Sequence, residues 1–188
     1  MTAHAPPSAD LLAIDPGVLH PAAARFAGGR LIAAARTFVD PSWAALADGP
    51  RALLVAQALV AWDREVTGRT ASHIVVEWPK VYRETKMRGA DPNDLLKILG
   101  MAMAVVGLYA AHSPIAVLSP RPDEVWGQTP KAKTGDPWRS VRGARIKARL
   151  TPSEIGCVRA SHDAIDAIGL GLWALGKFER VRVFPGAT

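Results

Sequence analysis

The sequence predicts an α/β domain built on a mixed five-stranded sheet with helices on both faces. Three observations lead there. Short apolar runs at residues 11–14, 73–78 and 114–118 have the length and composition of buried strands. Two further runs, residues 22–27 and 30–39, flank Gly28-Gly29 and read as a hairpin. Helical segments separate the later strands, giving the order β-β-β-α-β-α-β-α-α, and a hairpin followed by β-α units implies a mixed sheet. With 188 residues, 49% apolar and 21% charged, the chain has the size and composition of one globular domain. Residues 1–10, polar with Pro and Ala, are expected to be a flexible leader to a single domain over 11–188.

The elements follow in order. The first strand, Leu-Leu-Ala-Ile, stops at the turn sequence Asp15-Pro16-Gly17. Asp48-Gly49-Pro50 is a second stop. Behind it Leu53, Leu54, Ala58, Leu59 and Trp62 mark the apolar side of an amphipathic helix that Gly68 ends. The strand at 73–78 (HIVVEW) finishes on a carboxylate ahead of Pro79, and a basic loop covers 80–90. Asp91 as N-cap and Pro92 at the first helical position then open a helix over 93–112. That helix is apolar nearly all round, which fits a deep core position or a face shared between subunits. Its uninterrupted apolar part, residues 98–111, has 14 residues, short of the roughly 18 that a membrane span requires. A strand at 114–118 ends at Ser119-Pro120, residues 121–149 are basic and poor in apolar side chains, and a last helix runs from near Ser161 to about Phe178.

Lys and Arg total 23 against 17 Asp and Glu, a net charge of +6. The excess is local: residues 80–149 hold 13 basic and 6 acidic side chains, and the rest of the chain holds 10 and 11. Such a segment suits a polyanionic partner, although it would also serve as a solubilising surface. The single cysteine, Cys157, excludes an intramolecular disulfide and a Cys-cluster zinc site, and reads as a small buried residue. Neither G-x-x-x-x-G-K nor G-x-G-x-x-G occurs, so nothing supports a nucleotide cofactor. No basic-then-apolar signal segment opens the chain, which makes a cytoplasmic protein the default.

The chemistry lies in where the acids fall. Asp15 ends the first strand, Glu77 ends the strand after the first long helix, and Asp163 and Asp166 sit in the last helix. An acid inside an apolar strand is costly unless a cation neutralises it. The i,i+3 spacing puts Asp163 and Asp166 on one helix face, and Ile165, Ile168, Leu172 and Leu175 are spaced to dock that helix on the sheet. Four converging carboxylates call for hard divalent ions, which prefer oxygen ligands. A pair of such ions suits phosphodiester hydrolysis.

These residues resemble the RuvC family of Holliday-junction resolvases, part of the RNase H-like (retroviral integrase) superfamily. The resemblance rests on Ile14-Asp15-Pro16-Gly17, on Val75-Val76-Glu77 and on Asp163-Ala164-Ile165-Asp166-Ala167, in that order on the expected elements, across residues 11–175. It implies an RNase H-like fold with Asp15, Glu77, Asp163 and Asp166 as the catalytic acids, holding two Mg²⁺ or Mn²⁺ ions per active site. It further implies cleavage of four-way (branched) DNA junctions by a homodimer whose two sites cut opposite strands, with the helix over 93–112 as candidate dimer face. The setting would be a bacterial or phage-infected cell, and residues 125–138 (VWGQTPKAKTGDPW) look closer to phage-type members. In the family, the loop after the strand-end glutamate carries an aromatic that probes the junction centre. Here Lys80 holds that position, and Tyr82 is the candidate for stacking on an unpaired base.

The candidate nucleic-acid contacts are Lys80, Tyr82, Arg83, Lys86 and Arg88 in the basic loop, then Lys131, Lys133, Arg142 and Arg145. Arg139, Lys147 and Arg149 belong to the same basic stretch. Lys131 and Lys133 suit neutralisation of a phosphate or a transition state, or an ordinary solvated loop. His162 reads as an exposed or capping residue, and Trp126 and Trp138 as anchors of their loop against the core. Two other readings remain: a related nuclease acting on other branched DNA, an RNA–DNA hybrid or structured RNA, and a junction-binding protein without catalysis.

Overall fold

The structure is a computed structural model that describes residues 4–17, 21–36, 40–79, 92–111, 116–127, 129, 131 and 134–178. Its strands are β1 (Leu11–Asp15), β2 (Ala22–Ala27), β3 (Arg30–Arg36), β4 (His73–Val76) and β5 (Ala116–Leu118). Its helices are α1 (Asp48–Thr67), α2 (Pro92–Ala110), α3 (Pro122–Val125), α4 (Val141–Lys147), α5 (Pro152–Gly156) and α6 (His162–Ala174). The sheet order is β3-β2-β1-β4-β5. β1 pairs antiparallel with β2, and β2 with β3; β4 lies parallel between β1 and β5. The expected mixed five-stranded sheet is therefore present. Gly28 and Gly29, at φ 55° and 75°, supply the left-handed turn that a two-residue hairpin needs.

Strand alternation sorts the core into two layers. Leu11, Ala13, Ala24, Phe26 and Val75 face α6, while Leu12, Ile14, Ile74 and Val76 face α1 and α2. The same parity decides where the acids go. Asp15 continues the row of Leu11 and Ala13, and Glu77 continues the row of Val75, so both side chains belong to the α6 face. Arg25, on the opposite parity in β2, reaches Asp63 of α1 with Nε 2.6 Å from Oδ1, and both are fully buried. Tyr109 of α2 donates to Asp63 Oδ2 at 3.0 Å and the backbone N–H of Ala71 donates to it at 2.8 Å, so one carboxylate ties both helices to the sheet. Its burial and the Asp63 charge push the Tyr109 phenol well above its usual range.

Several expectations change in detail. Residues 4–10 pack against α6 instead of forming a flexible leader: Ala5 and Ala9 are buried, the Ala5 N–H donates to the Ala174 carbonyl, and His4 meets Trp173. Asp48-Gly49-Pro50 forms the first turn of α1, a place where proline costs little. The buried stripe of α1 is Ala52, Val55, Ala56, Leu59, Val60 and Asp63, which leaves Leu53 exposed, because the Arg25 partner draws Asp63 inward. Helix α2 buries Met101, Ala102, Val105 and Tyr109 but exposes Leu96 and Met103, so one side of it is apolar and uncovered among the described residues. Cys157 is exposed, its thiol directed to the Ser153 carbonyl at the end of α5. The short helices α3, α4 and α5 each open with a local cap at Arg121, Ser140 and Thr151 and span too few residues to show periodicity. Among the described residues no helix is long and apolar enough to cross a membrane.

Candidate active site

The site lies at the carboxyl ends of β1 and β4, where an open α/β sheet offers a crevice. These strands are parallel neighbours, and the Glu77 N–H donates to the Ile14 carbonyl at 3.2 Å, which sets Glu77 beside Asp15. Helix α6 supplies the facing wall. Ser161 caps it by accepting from the Ala164 N–H, which leaves Asp163 in the first turn and Asp166 one turn deeper. Gly169 and Gly171 let the helix sit close: a Cβ at either would lie 2.0 Å from the Trp126 ring or 2.1 Å from the Phe26 ring.

Lys131 stands at the centre. Its Nζ is 3.3 Å from Asp15 Oδ2, 3.0 Å from Asp163 Oδ1 and 2.9 Å from Asp166 Oδ2. Arg142 of α4 takes the other oxygen of Asp166, with Nη1 2.9 Å from Oδ1. The structure thus brings Asp15, Asp163 and Asp166 onto one ammonium. Glu77 shares the same cleft of about 290 Å³ with Asp15, Lys131, Arg142, Asp166 and the α2 side chains Leu95 and Ile98.

Electrostatics describe an unbalanced nest. Burial pushes the Asp15 carboxyl up to about 6; Lys131 pulls it down, and Asp166 and Asp163 push it further up. Glu77 rises to about 8, through burial first and then through the charges of Asp15 and Asp166. Burial works against the Lys131 ammonium, but Asp15 and Asp166 outweigh it and hold the proton well above the usual lysine range. Among the described residues Asp15, Asp163 and Asp166 share the two cations Lys131 and Arg142, with the raised carboxyl of Glu77 beside them, so the nest is short of positive charge.

Other expected contacts divide. Arg142 and Arg145 do not stand as free DNA contacts. Arg142 donates to the Thr129 carbonyl from Nε and Nη2 at 3.2 and 3.0 Å and stacks over Trp126, while Arg145 donates to the Thr129 hydroxyl at 2.9 Å and stacks over Phe178. Both clamp the segment that carries Lys131. Trp126 is buried and Trp138 half-buried against the α6 core, as loop anchors. His162 is half-buried at the start of α6, with Nε2 enclosed and without a hydrogen bond among the described residues, so it is neither exposed nor the cap. Arg139, Lys147 and Arg149 are exposed. Lys80, Tyr82, Arg83, Lys86, Arg88 and Lys133 lie outside the described residues. Sequence reasoning gave Thr129 no role. Its only signal is a position two residues before Lys131.

Solved structures decide the fold. Thermus thermophilus RuvC in complex with a Holliday junction substrate matches with a TM-score of 0.56 at 18% identity, over 90% of this chain and 97% of its own. A second Thermus thermophilus RuvC structure matches at 0.51 and 15% identity, over 90% and 98%. The fold is that of RuvC. The yeast mitochondrial Holliday junction resolvase Ydc2 matches at 0.55 and 13% identity, over 92% of this chain and 78% of its own. No family model and no curated protein matches the sequence. The RuvC fold thus extends over nine-tenths of the chain, with the carboxylate nest at the carboxyl ends of its central parallel strands.

Whether the nest suits a metal follows from its donors. Among the described residues no group of three His, Cys, Asp or Glu side chains is set at ligating distances for an ion. The carboxylates are spaced around an ammonium instead, and Lys131 is the stand-in cation. Three carboxylate oxygens on one cation, a fourth carboxyl beside them and a shortage of positive charge are the donor chemistry that a hard divalent ion satisfies. The residues fit the ion, provided Lys131 yields its place.

Proposed function

We propose that the protein is a divalent-metal-dependent endonuclease that resolves four-way DNA junctions as a homodimer. The observation that carries this reading is the convergence of Asp15, Asp163 and Asp166 on one cation, with Glu77 alongside, in a chain with the RuvC fold. Asp15, Glu77, Asp163 and Asp166 would hold two Mg²⁺ or Mn²⁺ ions. Bound there, the ions would neutralise the carboxylates, polarise the scissile phosphate and make water nucleophilic. Lys131, with a side chain 40% exposed, is the group positioned to leave the carboxylates and meet a phosphate oxygen. Burial favours the protonated form of Glu77, and a cation bound beside it would favour the carboxylate, so ion binding and its deprotonation are linked.

Paired cleavage needs two sites related by a two-fold axis, matching the symmetry of the junction. The apolar side of α2, with Leu96 66% and Met103 60% exposed, is the face proposed for the partner protomer. The basic loop at 80–90 and Lys133 are proposed as DNA contacts, with Tyr82 for stacking. Residues 125–138 suggest a phage-type member of this group.

The test separates binding from cutting. Asp15→Asn and Asp166→Asn should each lower nicking of a synthetic four-way junction in Mg²⁺ by roughly a thousandfold or more, the scale of several kcal/mol of lost transition-state stabilisation. Gel-shift affinity for the junction should change little. Wild-type cutting rates in both variants would refute the site.

A further inference from the structure

Asp166 is the most enclosed acid of the nest, its side chain only 3% exposed, and its two oxygens have different partners. Oδ2 faces the Lys131 ammonium together with Asp15 and Asp163, while Oδ1 is taken by Arg142 Nη1 at 2.9 Å. Arg142 is itself held. Its Nε and Nη2 donate to the Thr129 carbonyl, and its guanidinium lies 4.3 Å from the centre of the Trp126 ring. Trp126 is buried and would touch a Cβ at Gly169, so the platform beneath the guanidinium is seated on α6 itself. A planar fork with three fixed engagements cannot follow Asp166 if that carboxylate rotates.

We propose that Arg142 is a positioning residue that keeps Asp166 a one-oxygen donor and thereby sets which divalent ion the nest accepts. The proposal rests on the metal-binding reading above. With Oδ1 committed to Arg142, Asp166 can offer only Oδ2 to an ion in the nest. Mg²⁺ accepts single carboxylate oxygens and keeps its waters in a tight octahedron; Ca²⁺ takes more oxygens and accepts carboxylates in the bidentate mode. A carboxylate restricted to one oxygen favours the smaller ion. Arg142 also ties the segment of Lys131 to α6 through Thr129, so the internal cation and the acid it neutralises move as one unit.

The experiment is equilibrium titration calorimetry of the full chain with Mg²⁺ alone and Ca²⁺ alone, on wild type, Arg142→Met, Arg142→Lys and Thr129→Val. Wild type should prefer Mg²⁺ relative to the two Arg142 variants. Arg142→Met should lower the ratio of Mg²⁺ to Ca²⁺ affinity by about tenfold, because Asp166 can then turn both oxygens to an ion. Arg142→Lys restores the charge without the fork and should not restore the Mg²⁺ to Ca²⁺ ratio. Thr129→Val loosens the Arg145 clamp and leaves Asp166 alone, so its ratio should stay at wild type. An unchanged ratio in Arg142→Met, full recovery in Arg142→Lys, or an equal shift in Thr129→Val would each overturn the proposal. Should Arg142→Met fail to fold by circular dichroism, Arg142→Lys decides. If wild type binds neither ion, the metal reading itself fails, an outcome distinct from an unaltered ratio.

Discussion

Asp15 and Glu77 carry the largest burden at the residue scale, because each is a strand-end acid whose burial opposes its charge. Their carboxyls rise to about 6 and about 8, from ordinary values of 3.8 and 4.5. The native state therefore keeps protons that the unfolded chain has already released, and unfolding stability falls as pH rises from about 4.5 to about 8. In EDTA the melting temperature should decline across that window, and Glu77→Gln should flatten the decline. Mg²⁺ should raise the melting temperature more at pH 8 than at pH 5, because it supplies the missing charge to the ionised form. A differential scanning fluorimetry series checks this; a melting temperature that climbs through the window would contradict it. These two acids were legible in the sequence because strand parity and apolar runs are local signals. The carboxylate contacts of Lys131 and Arg142 were not legible, since those acids lie 24 to 116 residues away and no periodicity marks a proline-punctuated segment.

At the scale of elements, α6 is the part that must be seated correctly. It is buried on every side from Ala164 to Ala174, and it carries two of the four acids. Its approach depends on Gly169 and Gly171, whose missing side chains make room for Trp126 and Phe26. Gly169→Ala should destabilise the fold by about 1–3 kcal/mol in urea denaturation, as overpacking does. It should also reduce junction nicking beyond the loss of folded protein, because Trp126 is the platform of Arg142. The i,i+3 pair of acids and the docking residues of α6 could be read directly from spacing. The face of α1 could not: Leu53 competes with Asp63 on hydrophobicity, and only the buried Arg25 across the sheet decides between them. The short helices α3 to α5 escaped for a related reason, being defined by caps and contacts with α6 and β3 instead of by pattern.

At the scale of the whole molecule, sheet order and acid placement support each other. A hairpin on one side of β1 and a parallel β4 on the other put two strand ends together, and α6 closes the crevice from the opposite layer. The resulting fold is that of RuvC, at identities of 15–18%. Residues on separate elements were expected to meet because the motif order resembled the resolvases. Only the structure shows that an internal lysine holds them together. The central claim is that this nest cuts branched DNA with divalent ions, and a strand-resolved nicking assay on a synthetic four-way junction, with and without Mg²⁺, tests it most directly. The account predicts paired, ligatable nicks at symmetric positions on two opposing strands, dependent on Mg²⁺. Cutting that persists in EDTA, or that treats linear duplex and junction alike, would contradict it.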